Sequence, residues 1–180
     1  GGGVSGYMYD MSNSAEVHHL FQDAMELPDS EFDRMLDVNT KSLLYTAKAA
    51  VPHLRASGRG SICTVASVGA AVIRPGASLY AASKAASISM TKSLALELAP
   101  EVRVNCVLPT STDTGLLKNI PGADPAWVQE RYARNAANLP MKRLGTGADI
   151  AAAIAFLSSD DASFITGVAL PVDGGRSAGG

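Results

Sequence analysis

Between Pro28 and Leu54 the apolar positions recur at spacings of three and four: Phe32, Leu36, Leu43, Ala47, Ala50 and Leu54, with one polar member, Asn39. That period predicts one long amphipathic helix, with Ser30 placed to cap it and Pro52 placed to bend or end it. "SGRG" then breaks the chain. "SICTVASVGA" reads as a short buried strand that ends in small residues. After the turn "IRPGAS", the stretch 79–98 predicts a second helix, and "EVRVNCVLP" a second buried strand rich in Val. Residues 110–146 read as a long loop that carries a helix over "DPAWVQERYARNAANL". "GADIAAAIAFLSS" predicts another helix, with Asp149 in its first turn where a carboxylate favours the dipole. "ITGVALPVDGG" predicts a last short strand. A short helical piece over "SAEVHHLFQDAM" lies within an otherwise irregular start. Helices that alternate with apolar, β-branched strands predict an α/β fold: a parallel sheet with helices on both faces.

Composition narrows the picture. The 180 residues, 47% hydrophobic and 18% charged, suit a single globular domain over 1–180. Net charge is -2 and no basic run is present, so nothing points to nucleic acid or to an anionic membrane surface. No apolar stretch approaches the ~20 residues that span a bilayer. Cys63 and Cys106 sit in apolar runs and read as core thiols rather than as a disulfide or metal pair. His18, His19 and His53 show no metal-ligand spacing, so no metal site is expected.

Chemistry concentrates in a few positions. In "SLYAASKAAS" Tyr80 and Lys84 stand four apart, so on a helix they share a face, among residues otherwise stripped of bulk. In open α/β sheets ligands bind at the carboxyl ends of the strands. Ser67 lies at that end of the first strand, and Pro109 and Thr110 at that end of the second. The turn between Ser67 and Tyr80 can fold back, which lets a hydroxyl, a phenol and an ammonium meet at the mouth of the sheet. Asn39 approaches from the preceding helix; a buried amide needs a partner, and a structural and a functional role both fit it.

Asn39 in "DVNTKS", Ser67, and "YAASK" thirteen residues beyond that serine resemble the short-chain dehydrogenase/reductase family in its common form: Ser, twelve residues, Tyr, three residues, Lys. "RVNCVLPTSTDT" is similar to the family's strand-to-loop segment, and "ITGVALPVDGG" to its C-terminal strand. The match runs from about residue 1 to 176. The resemblance implies the C-terminal two-thirds of a Rossmann-type doubly wound parallel sheet with flanking helices. It also implies that the dinucleotide-binding βαβ half is absent, since Gly1-Gly2-Gly3 looks like the tail of the family's Asn-Asn-Ala-Gly turn.

The same resemblance implies the chemistry. NAD or NADP would exchange a hydride with a secondary alcohol or ketone. Tyr80 would be the general acid/base, with Lys84 favouring its phenolate and bonding the nicotinamide ribose; Ser67 would hold the substrate oxygen. Asn39 would order a water that relays protons to Lys84. Cofactor contact would come from Asn39, Tyr80, Lys84, Pro109, Thr110 and Thr114, with small Ala81, Ala82, Ser83 and Ala85 allowing close approach. Thr110 departs from the pattern, standing where the family has glycine. Residues 111–145 would fold over substrate as a lid, with Val72, Ile73, Leu116, Leu117 and Trp127 as an apolar lining. A homodimer or homotetramer, formed through the helices matching 31–56 and 79–98, and a cytoplasmic location complete the expectation. The alternative is a catalytically inactive fold remnant that acts only by self-association.

Overall fold

The computed structural model describes residues 24–115 and 124–179. The expected helix over 14–25 falls outside them except at its last two residues, as do His18, His19, Leu116 and Leu117.

The first helical run is built in three pieces: α1 (Asp29–Leu36), a π-turn (Asp37–Lys41) and α2 (Ser42–Ser57). Its N-terminus is not capped by Ser30: Pro28 occupies the cap position without a side-chain bond, and Asp29 and Glu31 in the first turn face the dipole. Nor does Pro52 end it. Pro52 is exposed in the last turns, and the helix continues to Ser57, where Gly58 closes it at φ 72°, a conformation suited to glycine. The π-turn inserts an extra residue, so the stripe shifts. Met35, not Leu36, is the buried residue of α1, and Thr40 is buried next to a half-exposed Asn39.

β1 (Gly60–Val65), α3 (Ser78–Leu98) and β2 (Val102–Pro109) follow, then a short β3 (Thr112–Asp113). The remainder is α4 (Pro125–Ala137), β4 (Gly145–Thr146), α5 (Gly147–Ser158) and β5 (Ala169–Val172). Among the described residues the main sheet is parallel, in the order β1-β2-β5, with Gly60 opposite Val102 and Cys106 opposite Ala169. Gly60 is where α2 returns to the sheet: a Cβ there would lie 2.8 Å from Val102 Cγ2 and 2.9 Å from Leu54 Cβ.

Side-chain alternation on β2 makes two core layers. Val102 and Val104 pack with Leu43, Ala47, Leu94 and Ala95 on one face. Val107 packs with Ile150 and Leu157 of α5 on the other. Helices therefore cover both faces, as the alternation of strands and helices requires. Two polar side chains bind the layers. Asn105 is fully buried; it donates to Ile165 O at 2.9 Å and accepts Val168 N–H at 3.0 Å. Arg103 donates to Leu157 O at 2.7 Å and Ser159 O at 3.0 Å, so the last carbonyls of α5 meet a cation. Cys63 and Cys106 are free thiols, the second buried, and burial pushes both up from the ordinary thiol range.

The loop reading of 110–146 misses one element. β3 pairs with β4 in parallel, Thr112 opposite Gly145 and Asp113 opposite Thr146, which ties the two ends of that stretch together. β4 leads straight into a capping box: Thr146 Oγ1 accepts Asp149 N–H, and the Asp149 carboxylate accepts Thr146 N–H. Arg143 forks onto the same carboxylate at 2.8 and 3.0 Å and, with Thr146, holds Asp149 well below the usual carboxylate range.

Candidate functional site

β1 ends at Val65, and Ser67 caps the short 3-10 turn Val68–Ala70, accepting Gly69 N–H at 3.0 Å. That bond takes one lone pair of Ser67 Oγ and leaves its proton available to donate. The turn folds back toward α3. A Cβ at Gly69 would stand 3.2 Å from Ser67 Oγ and 3.7 Å from Tyr80 Cε1, so the hydroxyl and the phenol ring face one point beside the carboxyl end of β1.

Tyr80 and Lys84 lie on one face of the first turns of α3, with Lys84 Nζ 5.9 Å from the Tyr80 ring centroid. Lys84 Nζ donates to Val65 O at 3.1 Å and has two further hydrogens to offer. Burial pushes this ammonium below the ordinary lysine range. It lines a cavity of about 310 Å³ together with Val38, Asn39, Ile62, Val65 and Ser87.

Asn39 sits at the centre of the π-turn. Its Nδ2 donates to Ser83 Oγ at 3.1 Å, and its backbone carbonyl accepts Ser87 Oγ–H at 2.6 Å. Thr40 Oγ1 donates to Ser83 O at 3.0 Å. The π-turn thus presents its loosened backbone and polar side chains to a row of hydroxyls on α3. Sequence reasoning took the small residues of this helix as spacers, and the structure separates them. Ala81, Ser83 and Ser87 are buried against the first helical run, whereas Ala82 and Ala85 are exposed.

Asn39, Ser67, Tyr80 and Lys84 are therefore gathered at one end of the sheet. Pro109, at the end of β2 opposite Val172, and Thr110 lie at the same end. Thr110 needs no left-handed backbone: among the described residues Lys142 alone, of those other than glycine, has positive φ. Threonine is compatible with the place where glycine was expected. Thr114 is exposed, its N–H donating to Thr112 O at 3.0 Å. Trp127 is 42% exposed, with Arg131 stacked on its ring at 5.5 Å, so it is no part of a buried lining. Ile73, expected in the same lining, is also exposed, at the rim of a second cavity of about 550 Å³. Sequence reasoning passed over Arg74, which lines that second cavity between β1 and α3. Its place four residues after the small-residue turn was the available signal.

The described residues form a parallel α/β sheet with serine, tyrosine and lysine gathered near the carboxyl end of β1. The family model described as enoyl-(acyl carrier protein) reductase matches residues 10–177. The chain is 40% identical to the 4-formylbenzenesulfonate dehydrogenase TsaC1/TsaC2 of Comamonas testosteroni over 95% of its length and 68% of that protein's. Among solved structures it is similar to the aldohexose dehydrogenase of Thermoplasma acidophilum, with TM-score 0.83 and 34% identity over 94% of this chain and 76% of that one. It is also similar to a Brucella melitensis 3-ketoacyl-(acyl-carrier-protein) reductase complexed with NADH, with TM-score 0.74 and 39% identity over 87% and 62%. The chain belongs to the short-chain dehydrogenase/reductase family. It spans 57% to 68% of the length of the first curated relatives it matches.

Proposed function

We propose that this chain carries the catalytic half of an NAD- or NADP-dependent oxidoreductase acting on a secondary alcohol or ketone. The observation that supports it best is the shared point at Gly69, faced by Ser67 Oγ and the Tyr80 ring, with Lys84 Nζ 5.9 Å from that ring. A nicotinamide cofactor fits these residues. The two remaining Lys84 hydrogens and the cavity shared by Asn39 and Lys84 suit ribose hydroxyls, and the Thr110 backbone is unstrained next to Pro109. When bound, the cofactor supplies or accepts the hydride.

The chain's own residues do the rest. Ser67 donates to the substrate oxygen and orients it. The Tyr80 hydroxyl gives that oxygen its proton in reduction and takes it back in oxidation. The Lys84 ammonium favours the Tyr80 phenolate, and Asn39 orders water in the cavity it shares with Lys84, through which the proton is replaced. Pro109, Thr110 and Thr114 complete the nicotinamide side. The segment that carries α4 (Pro125–Ala137), tied at its base by the pairing of β3 with β4, closes over substrate. A free phenol titrates near ~10, so a cation at this distance is what a neutral-pH acid/base needs. Exposed Tyr45 on α2 and Leu96 on α3 support self-association through these helices, as a homodimer or homotetramer. No helix among the described residues is long and apolar enough to cross a membrane; a cytoplasmic place is the reading we adopt.

A second reading, a catalytically silent self-associating remnant, draws on β1 as the edge strand of the main sheet among the described residues, where Val65 is 48% exposed. One experiment separates the two. The chain is joined at its N-terminus to a relative's dinucleotide-binding half, and NADH and NADPH oxidation is followed over a panel of ketones. Turnover that Tyr80→Phe abolishes supports the enzyme. Tight dinucleotide binding with no turnover on any ketone supports the remnant.

A further inference from the structure

Ser83 stands on α3 between Tyr80 and Lys84 and is fully buried. Its hydroxyl has two neighbours of different kinds. Oγ lies 2.8 Å from Tyr80 O and 3.1 Å from Asn39 Nδ2. A hydroxyl has one proton, and a backbone carbonyl can only accept. The Ser83 proton is therefore committed to Tyr80 O, and toward Asn39 the same oxygen can only accept. That decides the polarity of Asn39: its amide turns the NH2 end to Ser83, and Oδ1 is the end left over.

Asn39 is half-exposed and borders the cavity of about 310 Å³ that it shares with Lys84. Its backbone carbonyl already accepts Ser87 Oγ–H at 2.6 Å, whereas no donor among the described residues reaches its Oδ1. The Lys84 ammonium is a donor only; it gives one hydrogen to Val65 O at 3.1 Å and keeps two. A water that accepts from Lys84 can give a hydrogen to Oδ1. Facing a reversed amide, it would meet donors on both sides and no acceptor.

We propose that Ser83 is a positioning residue: by giving its proton to Tyr80 O it holds the Asn39 amide with Oδ1 toward the cavity, and so sets the direction of the hydrogen bonds that lead to Lys84. The amide orientation stands on the two bonds of Ser83; its effect on turnover rests on the oxidoreductase reading. Thr40 supplies the contrast. Its Oγ1 donates to Ser83 O at 3.0 Å across the same seam, and it is not among the residues that line the cavity.

The first readout uses the chain itself. Side-chain amide exchange with water is followed by NMR on 15N-labelled protein, with the Asn39 NH2 pair assigned by its loss in Asn39→Ala. Ser83→Ala should speed that exchange on the order of ~5-fold, the net worth of one hydrogen bond. Ser83→Thr, which keeps the hydroxyl, should restore the slow rate, and Thr40→Val should leave it unchanged. The second readout uses the chain extended by a dinucleotide-binding half. Ser83→Ala should lower kcat at least ~5-fold with KM little changed, and raise the solvent deuterium isotope effect. The same substitution should cost nothing further once Asn39 is alanine. Circular dichroism checks that each variant is folded. Exchange as slow in Ser83→Ala as in the wild type would overturn the proposal. So would normal turnover in Ser83→Ala where Tyr80→Phe abolishes it, or a penalty undiminished in the Asn39→Ala background. A penalty and isotope effect that Thr40→Val reproduces would make Ser83 merely structural. If Tyr80→Phe costs nothing, the oxidoreductase reading falls, and amide exchange still decides whether Ser83 holds Asn39.

Discussion

Replacing Lys84 by methionine separates a catalytic role from a structural one. In the folded chain the ammonium makes one bond, to Val65 O at 3.1 Å. That carbonyl belongs to the end of β1, where Val65 is 48% exposed, so water can replace the lost donor. Burial already disfavours the charge, and methionine removes that penalty while it keeps the length of the side chain. The opposing effects bring the expected net change within ~1 kcal/mol, a shift of no more than ~4 °C in Tm for a chain of this size. Turnover in the chain extended by a dinucleotide-binding half should fall at least ~10²-fold. The pH dependence has a definite sign. The folded Lys84 titrates below its unfolded value, so between the two the unfolded chain binds more protons and wild-type stability rises with pH. Cys63 and Cys106, held up by burial, act in the opposite sense, but equally in both proteins. The wild-type minus Lys84→Met difference should therefore favour the wild type increasingly as pH rises through that window. Thermal melts over pH and steady-state NADH oxidation provide the two readouts. A loss of more than ~3 kcal/mol with turnover preserved would make Lys84 a structural residue and refute the reasoning.

Tyr80→Phe in the extended chain should lower kcat at least ~10²-fold with the fold intact by circular dichroism, and Ser67→Ala somewhat less; near-normal turnover in Tyr80→Phe would remove the acid/base assignment. Asn105→Leu leaves Ile165 O and Val168 N–H without their buried partner, so denaturant melts should show a loss of ~2–5 kcal/mol. Asp149→Asn should lower Tm at neutral pH by weakening the capping box and the Arg143 fork. Because the folded Asp149 carboxyl lies below its ordinary range, that difference should persist above the usual carboxylate value and disappear only in strong acid. The 180-residue chain by itself should bind NADH no tighter than millimolar and should pair through β1; saturable micromolar binding by fluorescence would count against this.

Period and chain order carried most of the architecture because β2 and the helices beside it are governed by burial. Val102, Val104 and Val107 are apolar where they must be, and a pattern of apolar positions reports that directly. What the pattern could not report was backbone-to-side-chain bonding. Asn105 sits inside an apolar run, and nothing in the spacing says that its amide joins β2 to the segment before β5. β3 and β4 are two residues each, too short to leave a period, and the bond that matters most to their junction comes from Arg143, outside both. At the site, Tyr80 and Lys84 were legible because four residues on a helix fix a shared face. The cavity lined by Arg74 was not, because nothing in the spacing of "IRPGAS" reports a concave surface beside α3.

Asn39 is the instructive case. Read as a helical stripe, it is a polar residue at a core position, an error that needs a partner to correct it. In the fold the stripe is interrupted at that residue. The π-turn over Asp37–Lys41 rotates the following helix by the extra residue, which moves Thr40 into the interior and leaves Asn39 half-exposed at the cavity of Lys84. A π-turn weakens the backbone ladder, and the carbonyl of Asn39 takes a hydroxyl from Ser87 across the helix interface. The polarity of Asn39, Thr40, Ser83 and Ser87 is thus one feature: two helices held together by hydroxyl and amide bonds where an apolar seam would have closed the cavity next to Lys84.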